Sequence, residues 1–336
     1  MTAARPQFTS KLAWILDQYI DKCIAEHAEM TLARDFQVTK CFDRFLDSVD
    51  YSGGDISEET ICDWIAQLSY LSAGTLHGYE CIIQKALRFA KSFGIRSTMP
   101  PIVKVADTYQ PYIFSQAELE RLCSLADNLR PHELSDYPWI HVETPMVLRI
   151  LIGCGTRITE TLLLQMKDVD LTTGILTMKH SKGGRERLVP VHEGLKEILI
   201  RYCMAMGIVG NPDAWLFPAK NTEEPLNGSY FAHRFSNLLA AASIKPEHSP
   251  RCRGASVHCI RHTFACNSLQ SLQKQGIHMD NRFPYLSVYM GHKGLYDTQK
   301  YLKLTAEMVS DETDAFETSI KSIFDCPVFL NTEEWV

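Results

Sequence analysis

The chain has 336 residues, 45% of them hydrophobic and 22% charged, which is room for two domains with cores and the balance of an ordinary globular protein. Eleven cysteines, an odd number without paired short spacings, exclude a disulfide framework and read as buried thiols in a reducing cytosol. A formal charge of −6 does not by itself point to nucleic acid. No apolar run reaches the length of a membrane span and no basic-then-apolar leader opens the chain, so a cytoplasmic location without membrane contact is expected.

Residues 8–93 read as four helices. Leu12, Ile15, Leu16, Tyr19, Ile20 and Cys23 form a 3.6-residue stripe between Phe8 and Ala28. Thr31 is the expected N-cap of a second helix through Phe42, Phe45 and Leu46 to Val49. After Y-S-G-G-D, Ser57 opens a short helix through Trp64 to Leu68, and a fourth runs from about Ser72 to Phe93. Four helices in this span make a small bundle. Lys85, Arg88 and Lys91 lie near one face of the last helix, where the ordinary reading is a solvated face and the functional one is contact with phosphates. Residues 97–113, with three prolines and no periodicity, read as an extended linker. The expected organisation is a helical domain over 1–98, a linker over 99–113, a second domain over 114–304 and a tail over 305–336.

The second domain begins with a capping box, Ser115 with Glu118, on a helix to Leu129. A longer apolar helix covers about Glu143 to Gly153. G-C-G-T-R-I-T-E (Gly153 to Glu160) then places Arg157 at a glycine turn ahead of a helix expected to reach Lys167. An arginine at a helix start, beside exposed N–H groups, suits an anion, although many helices begin with a capped arginine, and Glu160 reads as structural. Residues 168–191 alternate as strands, with S-K-G-G-R as a hairpin tip carrying Lys182, and Arg185 and Arg187 beside it. Helices are expected over His192–Met206 and Gly228–Ala242, with W-L-F-P (Trp215 to Pro218) as a short buried strand between them. H-S-P-R-C-R-G, containing Arg251 and Arg253, is a basic loop that leads into V-H-C-I-R-H-T-F-A.

In that last run His258 and Arg261 share a helix face. Further on, Y-M-G-H-K-G-L-Y-D-T-Q-K-Y-L places His292 after a glycine and Tyr301 nine residues later. Two imidazoles, a guanidinium and a phenol suit phosphate chemistry: arginine forks onto phosphate, histidine moves protons near neutrality, and tyrosine acts as a nucleophile. Charge fits locally. Residues 113–302 carry 21 basic and 18 acidic groups, whereas 303–336 carry 2 and 8 and so hold an excess of six acids, and phosphates respond to the local field.

The set H-C-I-R-H-T-F-A, then M-G-H, then T-Q-K-Y-L resembles the C-terminal signature of the tyrosine recombinases, the phage-integrase family. G-x-R-x-[S/T]-E at Arg157 and the S-K-G-G-R-E-R-L-V-P-V hairpin resemble its upstream motifs, and the anchors stand in family order. The likeness covers about residues 113–305 by motif and the N-terminal bundle by architecture alone. It implies a mainly α fold with a small antiparallel β-sheet: a helical core-binding bundle that clamps DNA, followed by an α+β catalytic domain. Arg157 and Arg261 would hold the scissile phosphate, and Tyr301 would form a 3′-phosphotyrosine. Lys182 would protonate the leaving 5′-oxygen, His258 would assist the tyrosine, and His292 would bond the phosphate. Two transesterifications by a homo-tetramer on double-stranded DNA would pass through a Holliday junction. No cofactor and no metal are implied, accessory or partner recombinases are allowed, and the protein would associate with the nucleoid.

Two departures stand out. Arg261 and His292 are 31 residues apart, longer than in compact members, which implies a loop or helix extension. The flanks of M-G-H look similar to integrases of transposon-type mobile elements, so integration or transposition is the expected setting. Tyr296 and Tyr289 are rival nucleophiles. The tail has apolar positions from Met308 to Phe324 at helical spacing, which fits a helix packed on its own domain or one passed to the next protomer. Other classes stay open: a non-catalytic DNA-binding protein that keeps the fold, a type IB topoisomerase-like relaxing enzyme, or a zinc site built from Cys252, His258, Cys259, His262 and Cys266. Against zinc stand the lack of a Glu beside the first histidine and the lack of a CxxC pair.

Overall fold

The computed structural model describes residues 4–26, 29–102, 110–130, 139–179, 186–244, 254–275 and 279–291. The chain divides into two compact units, Met1–Thr108 and Tyr109–Val336.

The first unit holds α1 (Ala13–Glu26), α2 (Glu29–Ser48), α3 (Glu58–Gln67) and α4 (Ala73–Lys91). The hydroxyls of Ser57 and Ser72 accept from the Thr60 and Thr75 backbone N–H groups at 3.1 and 3.3 Å, which caps α3 and α4 as their sequences require. Their apolar stripes bury Ile15, Ile20, Phe42, Leu46, Trp64 and Ile83 in one core. Asp43, buried on α2, accepts from Thr9 N, Ser10 N and Ser10 Oγ at 2.8, 3.1 and 2.6 Å, so the segment ahead of α1 is tied down by a fully bonded carboxylate. One expectation is corrected here. The second helix starts at Glu29, so Thr31 lies within its first turn and is not its cap.

The second unit adds α5 (Gln116–Asp127), α6 (Ile140–Cys154), α7 (Ile158–Leu162), β1 (Val169–Asp170), β2 (Ile175–Met178), β3 (Arg187–Pro190), α8 (Glu193–Ala205), α9 (Gly228–Ala241), α10 (Val257–Lys274) and α11 (Met279–Met290). The capping box on α5 is present. The strands form one antiparallel sheet in the order β1-β2-β3, with Leu176 opposite Val189 and Met178 opposite Arg187. Helix α7 stops at Leu162 instead of reaching Lys167, because the backbone beyond it is used elsewhere. Met166 N donates to Ala214 O and Leu216 N donates to Leu164 O, at 2.9 and 2.8 Å. The same pairing takes the place of the expected Trp215–Pro218 strand, which survives as isolated bridges with Leu216 and Phe217 fully buried. The long interval after Arg261 is taken up by the remaining turns of α10 and by α11.

Helix α6 begins three residues before its expected start at Glu143, and so carries Glu143 into the core at 1% exposure. Neither carboxylate oxygen has a hydrogen-bond partner among the described residues, and burial pushes the group up to about 8. The folded state therefore holds a proton that the unfolded state has lost above the ordinary Glu value of about 4.3, and stability falls as pH rises from there toward 8. Glu143→Gln should cancel this dependence. Its unfolding free energy is expected to pull ahead of wild type as pH goes from 5 to 8, by up to about 4 kcal/mol; a constant difference between the two proteins in urea unfolding across that range would refute it.

Candidate active site

The site is assembled on two glycine turns. Gly155 ends α6 with φ +57°, and the chain then turns so that Arg157 stands just ahead of α7. Gly291 follows α11 with φ +62°, and His292 comes next in sequence. Left-handed backbone at both points is where glycine is needed.

Arg261, 2% exposed on α10, spans the two turns: Nη1 donates to Gly155 O at 2.8 Å and Nη2 donates to Met290 O. Both acceptors are carbonyls at helix C-termini, which lack intrahelical donors and carry partial negative charge. Arg157, 21% exposed, donates from Nη2 to Gly291 O at 3.3 Å and from Nη1 to Glu160 Oε1 at 2.6 Å. Glu160 accepts further from Arg157 N at 3.1 Å and from Arg187 Nη2 at 2.7 Å. The arginines outweigh its desolvation and hold its carboxyl below the usual range. Glu160 is thus structural, as its sequence context implies.

His258 lies one turn before Arg261, edge-on to His262 with ring centroids 4.7 Å apart. It is exposed by area yet crowded by protein. That crowding, then the charges of Arg261 and Arg157, lower its pKa, so the imidazole is neutral at pH 7 and able to accept a proton.

The structure therefore brings Arg157, Arg261 and His258 together. Lys182, His292 and Tyr301 lie outside the described residues, as do Arg185, Arg251, Arg253, Tyr296, Cys252 and the tail. Tyr289, the other rival nucleophile, is turned inward. Its hydroxyl donates to Cys154 O at 3.1 Å, its ring stacks on Phe264 at 5.6 Å, and burial raises its pKa well above the ordinary value. Arg187 departs from the expected role of DNA-backbone contact: at 9% exposure its guanidinium faces Glu160 and the Tyr289 carbonyl. Of the proposed zinc set, Cys259 and Cys266 are fully buried while His258 is exposed.

In the first unit, Lys85, Arg88 and Lys91 are exposed on α4, with Arg88 donating to Gln84 Oε1 at 2.9 Å. The sequence reading missed a cleft of about 470 Å³ beside Lys40, Arg44, Gln37, Tyr70 and Trp64. Trp64 Nε1 has no partner there among the described residues. The signal was present as Gln37, Lys40 and Arg44 at i, i+3 and i+7 on α2, behind its apolar stripe.

A helical unit with a three-stranded sheet, and paired arginines fixed on glycine turns, is the build of a tyrosine recombinase catalytic domain. The chain belongs to the phage integrase family, whose sequence model matches residues 113–308. It is 27% identical over 213 residues to a putative integrase/recombinase, y4rB, of Sinorhizobium fredii, covering 60% of this chain and 64% of that one. The match thus spans less than two thirds of that relative. Tyrosine recombinase XerD of Pseudomonas aeruginosa is 25% identical over 314 residues, covering 88% and 95%. Among solved structures, a lambda integrase (75-356) dimer bound to a COC' core site superposes with TM-score 0.63 at 18% identity, covering 86% and 94%; at that identity the likeness shows the fold. No helix among the described residues is long and apolar enough to cross a membrane.

Proposed function

We propose that the protein is a site-specific DNA recombinase that cuts and rejoins duplex DNA through a 3′-phosphotyrosyl link at Tyr301. The observation that carries the reading is the placement of Arg157 and Arg261 on the carbonyls of residues 290 and 291, directly ahead of His292. A guanidinium has five N–H donors, and Arg157 spends two on Glu160 and Gly291, which leaves donors for phosphate oxygens. The negative charge carried by the non-bridging phosphoryl oxygens in the transition state is met by guanidinium groups already fixed before the reaction. His258, neutral and beside them, takes the phenolic proton as Tyr301 attacks. The 5′-oxygen leaves with a proton from Lys182, and the same sequence in reverse on a partner strand reseals the DNA. The phosphodiester energy is kept in the tyrosyl ester, so neither ATP nor a metal is required.

Assembly is proposed by analogy: lambda integrase has been seen as a tetramer bound to a Holliday junction, and four copies of this chain acting in pairs would give the same product. The first unit would grip the duplex with Lys85, Arg88 and Lys91 or with the Lys40–Arg44 cleft. Integration or transposition of a mobile element, in association with the nucleoid, is the setting proposed.

The test is a nicked suicide duplex, tiled across the DNA that flanks the gene, incubated in EDTA without ATP. A covalent protein–DNA adduct is expected, and peptide mapping should place the nucleotide on Tyr301. An adduct on Tyr296 would move the nucleophile. Tight binding without any adduct would favour a non-catalytic binder, and relaxation of supercoiled plasmid without strand exchange would favour the topoisomerase reading.

A further inference from the structure

We propose that Arg187 is a positioning residue that aims Arg157 and fixes the turn before His292. It is the first residue of β3, which pairs antiparallel with β2. Its single guanidinium reaches two other segments. Nε donates to Tyr289 O on α11 at 2.9 Å, and Nη2 donates to Glu160 Oε2 on α7 at 2.7 Å. The third nitrogen, Nη1, has no partner among the described residues and would lie 3.0 Å from a Cβ at Gly291. Glu160 is the connector, with one oxygen facing Arg157 and the other facing Arg187.

The geometry follows from charge balance. A buried carboxylate between two arginines is shared, so neither guanidinium closes on both oxygens. Without Arg187, both oxygens of Glu160 would be left to Arg157, and the fork of Arg157 would close on the carboxylate instead of a phosphate. Tyr289 O would lose its donor and the turn at Gly291 would lose its backing. DNA binding, spread over many phosphates, would be little changed, whereas the step that needs Arg157 correctly aimed would slow.

This rests on the recombinase reading, so the wild-type suicide-substrate adduct is measured first; its absence, with cognate DNA bound, would sink both ideas. Arg187→Ala is expected to cut the single-turnover cleavage rate about 100-fold while DNA affinity by anisotropy moves less than about threefold. About 50 mM guanidinium should restore at least tenfold of that rate to Arg187→Ala and none to Tyr301→Phe, a rescue that general loss of folding would not show. Arg187→Lys, which keeps the charge and one donor direction, should fall between, and it carries the comparison if Arg187→Ala fails to fold. Cleavage by Arg187→Lys at the wild-type rate would overturn the proposal. So would equal losses of affinity and rate in either variant, which would make Arg187 a DNA contact after all.

Discussion

Arg261→Lys is expected to lower the cleavage rate by about 10³-fold while leaving the protein folded, and Arg261→Ala to lose about 3–5 kcal/mol of stability as well. Arg261 is 2% exposed and bridges Gly155 O and Met290 O. An ammonium is a point charge on a flexible stem and reaches one of these carbonyls, not both, and it cannot fork onto a phosphate. The electrostatic support for the transition state is therefore lost even where the charge survives. Alanine removes more: two helix-terminal carbonyls lose a charged donor inside the protein, and the space of a guanidinium is left open. Urea unfolding separates the variants, since Lys should stay within about 2 kcal/mol of wild type. Cleavage by Arg261→Lys within tenfold of wild type would show that Arg261 is a structural clamp between two helix ends and no more.

Much of this arrangement was readable in the sequence because its pieces are local. His258 and Arg261 are one helical turn apart, and Ser57, Ser72 and Ser115 announce helices by the same short-range capping that the structure shows. What could not be read depends on partners distant in the chain. Helix α7 ends where it does because residues 164–167 hydrogen-bond to residues 212–216, and no window around Leu164 contains that information. Arg187 is the sharper case. Leu188 is 61% exposed, and Arg187 shares the inner face with the buried Val189 and Val191, so the strand keeps its alternation. What makes an arginine tolerable on that face is Glu160, a partner 27 residues away that no window around Arg187 contains. Glu143 shows the same limit. It lies in the first turn of α6 and is buried without a partner among the described residues, a placement only packing reveals.

Gly155→Ala should be among the most damaging substitutions in the second unit, costing about 3–5 kcal/mol and most of the cleavage activity. Two effects add. The backbone sits at φ +57°, and a Cβ would fall 2.2 Å from Phe264 Cδ1. The first costs about 1 kcal/mol for a non-glycine residue. The second requires the ring to move, and Phe264 is stacked on Tyr289, whose hydroxyl holds Cys154 O. Displacing the ring thus disturbs the end of α11, the carbonyls that Arg261 and Arg157 hold, and the residue ahead of His292. Gly207 separates the two effects: it has φ +65° with nothing within 4 Å of a Cβ among the described residues, so Gly207→Ala should show the backbone cost of about 1 kcal/mol by itself. Paired urea titrations with cleavage assays decide the matter. If both variants lose the same stability and Gly155→Ala still cleaves, Phe264 yields freely, and the turn, the ring stack and the arginine clamp do not act as one unit.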